Sequence, residues 1–405
     1  MNTVLSGQKS SSRFPLAIYM LMISAFAIGT TEFVIMGILP EVAGDLHISI
    51  RKAGSLVSIY ALGVAIGGPL LTILTVRLPR KILLLALMAL FVAANVLSAN
   101  APSYTVMMIA RILSSFTHGT VFGVGSVIAA KLVSPDKRAS AIAMMFIGVT
   151  LANILGVPLG TFIGQAYGWR APFWVVSLLG IFSLVALAIF IPKLNNEQPP
   201  NFRQELSVLR NPQVLLTLLM TVFGFGGVFV VFTYISPLLT EITGFQESTV
   251  TLLLLLFGVG LTLGNIVGGK LSDRKLLPSL VGILILLTMV LGLFTFTSHS
   301  PWATVITIFV WGFAAFGTVP GFQMRVLDKA KFAPNLASAL NIGAFNLGGA
   351  LGAWLGGMVL ESPLGLQSLP WVAAVVTLLG LFVTLWSWHG DDKDKNSKKQ
   401  KTCVV

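Results

Sequence analysis

Residues 148–160 read GVTLANILGVPLG, and residues 344–356, 196 positions later, read AFNLGGALGAWLG. Gly148, Ala152, Gly156 and Gly160 stand four apart in the first stretch, and Ala344, Gly348, Gly352 and Gly356 repeat the stripe in the second. Small residues at every fourth position lay a smooth ridge along one helix face, so another backbone can approach closely. Other landmarks share the offset within one residue: Gly29 falls on Gly226, Pro40 on Pro237, and Val76-Arg77 on Asp273-Arg274. A single match would mean little, because glycine is common in membrane helices. Several at one offset point to two copies of one unit in the same orientation, the plan of a transporter whose halves surround a midplane site.

Composition places both copies in a bilayer. Of the 405 residues 55% are hydrophobic and 10% charged, with a mean hydropathy of +0.90, whereas a soluble domain is about 25% charged. Apolar runs long enough to cross a hydrocarbon layer about 30 Å thick fall near 16–39, 54–76, 82–99, 103–132, 139–167, 171–191, 213–240, 249–271, 278–297, 302–326, 335–360 and 366–388. A soluble α/β enzyme is excluded, and so is a β-barrel, whose strands would alternate polar and apolar residues. The longest polar interruption, 192–212, divides the spans six and six. The organisation expected is a segment 1–15, an N-terminal half 16–191, a linker 192–212, a C-terminal half 213–388 and a charged, disordered tail 389–405. The first run contains Glu32 and is too long for a signal peptide, so it reads as a retained span.

The net charge of +12 is topological. With both termini inside, twenty-two Lys and Arg lie on the cytoplasmic side and three (Arg51, Lys52, Arg170) on the other, as the positive-inside rule requires. Nucleic acid is not an expected partner. The single cysteine, Cys403, permits no internal disulfide or cysteine metal site and is misplaced for prenylation.

Away from the ends of the spans the ionisable residues other than tyrosine are Glu32, Arg111 and His118. A charge at the bilayer centre costs about 2.5–3.5 kcal/mol on insertion scales, so each needs a partner or a wet cavity. Glu32 lies eight residues before Pro40, about 12 Å from that end of its span, and Arg111 nine residues after Pro102, about 13.5 Å. Similar depth suggests a pair, with Glu32 carrying a proton and Arg111 biasing its charge state; a static ion pair is the alternative. His118, seven residues beyond Arg111 on nearly the same face, reads equally as a relay or as a cap on a carbonyl. Asn153, Asn341 and Asn346 are substrate contacts or interhelical glue. Enzyme motifs are absent: Gly264 to Lys270 opens like a phosphate loop, but Leu271 stands where a hydroxyl is needed and no strand precedes it. No cofactor is expected, and a gradient must supply the energy.

These residues resemble the twelve-span drug/proton antiporter branch of the major facilitator superfamily, close to its arabinose-efflux-permease-like and sugar- or nucleoside-efflux members. Gly148 to Gly164 is similar to the antiporter signature through Gly148, Gly156, Pro158 and Gly160, with Val157 where the pattern has glycine. Gly29-Thr30-Thr31-Glu32-Phe33, Arg111 with Gly119, Tyr234-Ile235-Ser236-Pro237 and Asn341 to Gly348 resemble further blocks. The family loop Gly-x-x-x-Asp-Arg is kept after span 8 as Gly269, Asp273 and Arg274, and degraded after span 2, where Thr72 and Val76 replace Gly and Asp while Arg77, Arg80 and Lys81 remain.

The resemblance implies an all-α fold of two pseudo-symmetric six-helix halves in the bacterial inner membrane. It implies a substrate cavity near Phe33, Asn153, Tyr234, Asn341 and Asn346. The loops would latch the cytoplasmic side, their Asp ordering a helix end and their Arg pairing across the interface; without an N-half Asp, the Asp273–Arg274 loop should matter more. The expected function is export of a small organic solute, a drug, sugar or related metabolite, in exchange for protons. Protonation of Glu32 from outside would release substrate. The expected partners are the solute, protons and the lipid bilayer, with the chain a monomer. A proton symporter or facilitator importing a sugar is the rival, and a polytopic membrane enzyme a remote one.

Overall fold

The computed structural model describes residues 14–48, 50–75, 77–192 and 202–402, so Lys9, Arg13, Val76, Lys193, Cys403 and much of the linker lie outside the described residues. Among the described residues twelve helices are long and apolar enough to cross a membrane. They are Leu16–Gly37 (span 1), Lys52–Leu74 (2), Arg80–Ala99 (3), Tyr104–Lys131 (4), Pro135–Tyr167 (5) and Ala171–Phe190 (6) in the first half. The second half holds Pro212–Phe232 (7), Thr249–Arg274 (8), Leu276–Thr297 (9), Pro301–Lys329 (10), Pro334–Glu361 (11) and Leu366–Asp391 (12).

Local chemistry sets the ends and the breaks. Asn211 accepts the Gln213 amide at 3.0 Å and caps span 7, with Pro212 entering the first turn. Span 7 was expected to continue to residue 240; it stops at Phe232, and a short Ile235–Pro237 turn and a wide Leu238–Ile242 turn complete the segment. Pro237 has no N–H for the Thr233 carbonyl and its ring crowds that oxygen, so the chain opens at Thr233-Tyr234. Pro158 acts likewise in span 5: Ala152–Gly156 relaxes into a wide turn, and the Val157 amide reaches back to the Ala152 carbonyl.

The two halves pack alike. Span 1 lies on 5 and 6 as span 7 lies on 11 and 12, span 2 on 4 as span 8 on 10, and span 3 on 4 and 6 as span 9 on 10 and 12. The glycine stripes are the reason for the first pairing. A Cβ on Gly29 would stand 2.9 Å from the Ala152 Cβ, and one on its repeat mate Gly226 would stand 3.0 Å from the Gly348 carbonyl oxygen. Within the phosphate-loop look-alike Gly264 to Lys270, Gly264 and Gly268 are helical and admit the Phe313 and Gly317 backbones of span 10.

Contacts between halves lie on the linker side, where the linker, the span 2–3 and 8–9 loops and the last helix gather. Spans 5 and 8 meet from Ile154 and Gly258 down to Ala139 and Asp273, and spans 2 and 11 from Ala65 and Gly343 toward Asn335. The tail departs from expectation, since the last helix runs from Leu369 to Thr402. Asp391 is not tail: Arg325 Nη1 donates to its Oδ2 at 2.6 Å, Lys329 pairs with its Oδ1, and Arg325 Nη2 donates to Ser387 Oγ at 2.8 Å. A buried guanidinium in span 10 needs an anion, and the C-terminal half therefore reaches past residue 388.

Candidate functional site

Arg111, 1% exposed, is the hub of the first half. Its Nη1 donates to the Thr31 carbonyl at 2.7 Å, Nη2 to the Glu32 carbonyl at 3.3 Å and Nε to the Leu56 carbonyl at 3.3 Å, while the guanidinium lies 4.1 Å over the Tyr60 ring. One side chain thus ties spans 1, 2 and 4. A guanidinium has five donors and no escape to water here, so it takes the spare lone pairs of helix carbonyls. On the other flank Thr31 Oγ1 donates to Asn95 Oδ1 at 2.5 Å, pinning span 1 to span 3.

The structure brings Glu32 and Arg111 together through the Glu32 main chain and does not form the ion pair of the alternative reading. Arg111 grips the Glu32 main chain, and no guanidinium nitrogen comes within ion-pair distance, about 4 Å, of the carboxylate. His118 does, with Nδ1 3.7 Å from Oε2; the side chains of His118 and Glu32 are 7% and 15% exposed. That distance is too long for a hydrogen bond, yet a small shift would close it. His118 Nδ1 also lies 3.2 Å from the Tyr60 hydroxyl, and its ring packs 4.6 Å from Phe122. Glu32, His118 and Tyr60 therefore form a contiguous row of ionisable side chains beside the Arg111 guanidinium. The backbone beside this row is fixed, by Arg111 at the Thr31 and Glu32 carbonyls and by Asn95 at the Thr31 hydroxyl.

The remaining candidates separate by contact. Tyr234 donates its hydroxyl to the Ala353 carbonyl at 3.0 Å and covers Gly356, which makes it a tie between spans 7 and 11. Asn153 and Asn346 each donate to the carbonyl four residues back, Val149 and Ile342. Phe33 is half-buried one residue beyond Glu32. Asn341 is glue: it accepts from Thr221 Oγ1 at 2.7 Å and donates to Gln323 Oε1 at 2.8 Å. Gln323 bonds Ser338, whose hydroxyl donates to the Gly123 carbonyl at 2.8 Å. This chain joins spans 7, 10, 11 and 4, and sequence reading missed Gln323 because a lone Gln near a span end carries no periodic signal.

The loop residues act as the resemblance implied in part. Asp273 Oδ1 accepts the Ala139 amide at 2.7 Å and Oδ2 the Ser140 amide at 3.0 Å, capping span 5 across the interface. Gly269 admits Ala143 and the Ser140 backbone. Arg274 departs from expectation: it is exposed and, among the described residues, forms no ion pair. Arg77 is exposed, Lys81 donates to the Ala188 carbonyl at 2.8 Å and the Ile191 carbonyl at 2.5 Å at the end of span 6, and Arg80 Nε donates to Asn335 Oδ1 at 2.8 Å.

The model of the Major Facilitator Superfamily matches residues 21–339. The chain is 47% identical to the inner membrane transport protein YdhP of Escherichia coli (strain K12), over 91% of this chain and 94% of that one. It is 31% identical to a chloramphenicol resistance protein of Streptomyces lividans, over 91% and 95%. The crystal structure of the E. coli fucose:proton symporter FucP shares the fold, with a TM-score of 0.74 at 14% identity, covering 91% of this chain and 98% of that one.

Proposed function

The chain belongs to the Major Facilitator Superfamily, a multi-pass inner-membrane solute transporter and not an enzyme, and from that premise we propose that it exports a small organic solute in exchange for protons. The observation that carries the proposal is the Glu32 carboxylate, 3.7 Å from the His118 imidazole and not locked into the Arg111 guanidinium. A permanent ion pair would have no reason to exchange a proton; a carboxyl with a nearby titratable neighbour and a partly open side chain does. Protonated from outside, Glu32 would release the solute; deprotonated at the cytoplasmic face, it would let solute bind again. The relative named for chloramphenicol resistance supports export. The termini and linker are then cytoplasmic, as the cation distribution requires.

The test uses inside-out vesicles with an acid lumen and an internal pH dye. Solute found by a resistance and metabolite-export screen should raise lumenal pH when added, and Glu32→Gln should reduce that rise to the level of empty vesicles. A solute-induced fall in lumenal pH, or full proton-driven transport by Glu32→Gln, would refute the proposal in favour of import or of another coupling group.

A further inference from the structure

Span 8 and span 5 are joined by Asp273 on the amides of Ala139 and Ser140. Moved by the repeat offset of 196 or 197, this latch should appear in the other half as Val76 on the amide of Leu336. Valine can accept nothing. Yet the Leu336 amide, buried at the start of span 11, is not left alone: Glu205 Oε2 accepts it at 3.0 Å. Glu205 comes from the short Phe202–Leu206 helix of the linker and is 1% exposed. One residue before Leu336, Asn335 accepts from Arg80, the buried cation at the start of span 3. Burial pushes the Glu205 carboxyl up, while the Leu336 amide and the charge of Arg80 pull it down.

We propose that Glu205 of the linker replaces the carboxylate lost at position 76 and forms, with Arg80 and Asn335, the second latch of the linker side. The two latches are equivalent in what they hold, the amino end of span 5 or span 11, and differ in what holds it. Asp273 is fixed to span 8 and moves with it. Glu205 rides on the segment joining the halves, so the linker becomes a working part of the gate. Loss of the N-half motif then weakens nothing, because its carboxylate has moved to another element. A carboxylate at a helix's first amides is favoured by their hydrogen bonds and by the helix dipole, whichever element delivers it.

This inference rests on the family's two-state rocking and not on export or on Glu32, and its test needs no solute. Full-length protein with Cys403→Ser receives spin labels at Leu78→Cys and Phe332→Cys, exposed positions flanking the latch. In lipid nanodiscs, Glu205→Ala should shift the distance distribution toward the longer, open population, lowering the closed-to-open ratio about tenfold, the weight of one hydrogen bond to a charged group. Val76→Asp added to Glu205→Ala should recover most of that shift. Glu205→Gln, equal in size and neutral, should shift the ratio in the same direction by less, and serves if the alanine protein does not fold. An unchanged distribution in a Glu205 variant that melts normally overturns the proposal. So does a shift that Val76→Asp leaves untouched, since the carboxylate would then not be standing in for the missing one. A Glu32→Gln protein without transport should give the same latch response, which separates failure here from failure of the export reading.

Discussion

Replacing Asp273 with asparagine should open the linker side without unfolding the protein. The carboxylate accepts two main-chain N–H groups, at 2.7 and 3.0 Å, from the first turn of span 5. Hydrogen bonds to a charged group contribute about 1.5–3 kcal/mol each, and an anion at a helix amino end about 0.3–1 kcal/mol more. Asparagine keeps one acceptor, now neutral, and turns its NH2 toward the other amide. Allowing for the half-exposed position, the closed state loses roughly 2–4 kcal/mol, which is about 30- to 1000-fold in the closed-to-open ratio. A protein that is closed 100 to 1 would fall to between about 3 to 1 and 1 to 10. Single-molecule energy transfer between dyes at Ser134→Cys and Lys275→Cys, both exposed and carried with Cys403→Ser, reads the two populations directly. Because the open state is also folded, the melting temperature should change little. A closed fraction within twofold of wild type would refute the reasoning, showing that this cap does not hold the halves together.

Other expectations follow from contacts of different kinds. Gly148→Val would drive its Cβ against the Met22 carbonyl and to 2.7 Å from the Phe26 amide nitrogen; overpacking of this sort costs about 1–3 kcal/mol, seen as a lower melting temperature in detergent. Gly282→Ala, with open space around it, should hold or raise that temperature, since alanine gains about 0.5–1 kcal/mol over glycine in a helix. Asn341→Leu leaves Thr221 and Gln323 without their partner and should cost about 1–3 kcal/mol, with Asn341→Asp doing worse because it also buries a charge. Asp45 is held below the usual carboxylate range, chiefly by its hydrogen bond from Arg170 at 2.7 Å. A lowered acid stabilises the fold above its ordinary value and loses that contribution as the pH falls through the lowered one. Arg170→Gln should therefore cost under about 1 kcal/mol at pH 7 for so exposed a pair, and the difference from wild type should close on acidification below about pH 3.9.

Features with a long period were plain in the chain itself. Twelve apolar runs, the six-and-six division and the small-residue stripes need only composition and spacing, and the stripes of spans 5 and 11 do admit a close backbone, that of span 1 and of span 7. Asp273 was legible because its neighbours, Gly269 and Arg274, carry the motif. Glu205 was not: it sits in a polar linker where any acid looks solvated, and only the fold brings it to Leu336. Depth along a helix put Arg111 beside Glu32 but could not tell a carboxylate from a carbonyl as its acceptor. Asp391 was read as tail because charge and length look alike in a disordered segment and in one anchored by a distant arginine. The break at Thr233 was signalled by Pro237 four residues later, a sign visible in the sequence and outweighed there by the apolar run.

Four residues of α-helix turn through about 400°, so a stripe at every fourth position slips round its helix by about 40° per step. From Gly148 to Gly160 the slip would total about 120°, and a straight partner would lose the ridge. The wide turn at Ala152–Gly156 spends more residues on one revolution and winds the stripe back into phase, so that Gly148 meets Phe26 and Gly160 still meets Val34. Span 11 has no such turn and stays α-helical from Pro334 to Glu361, and its Gly348, Gly352 and Gly356 meet Val222, Gly226 and Val230 within the unbroken helix of span 7. Grafting span 11 into the place of span 5 would align every small residue by number and still throw the mesh out of register.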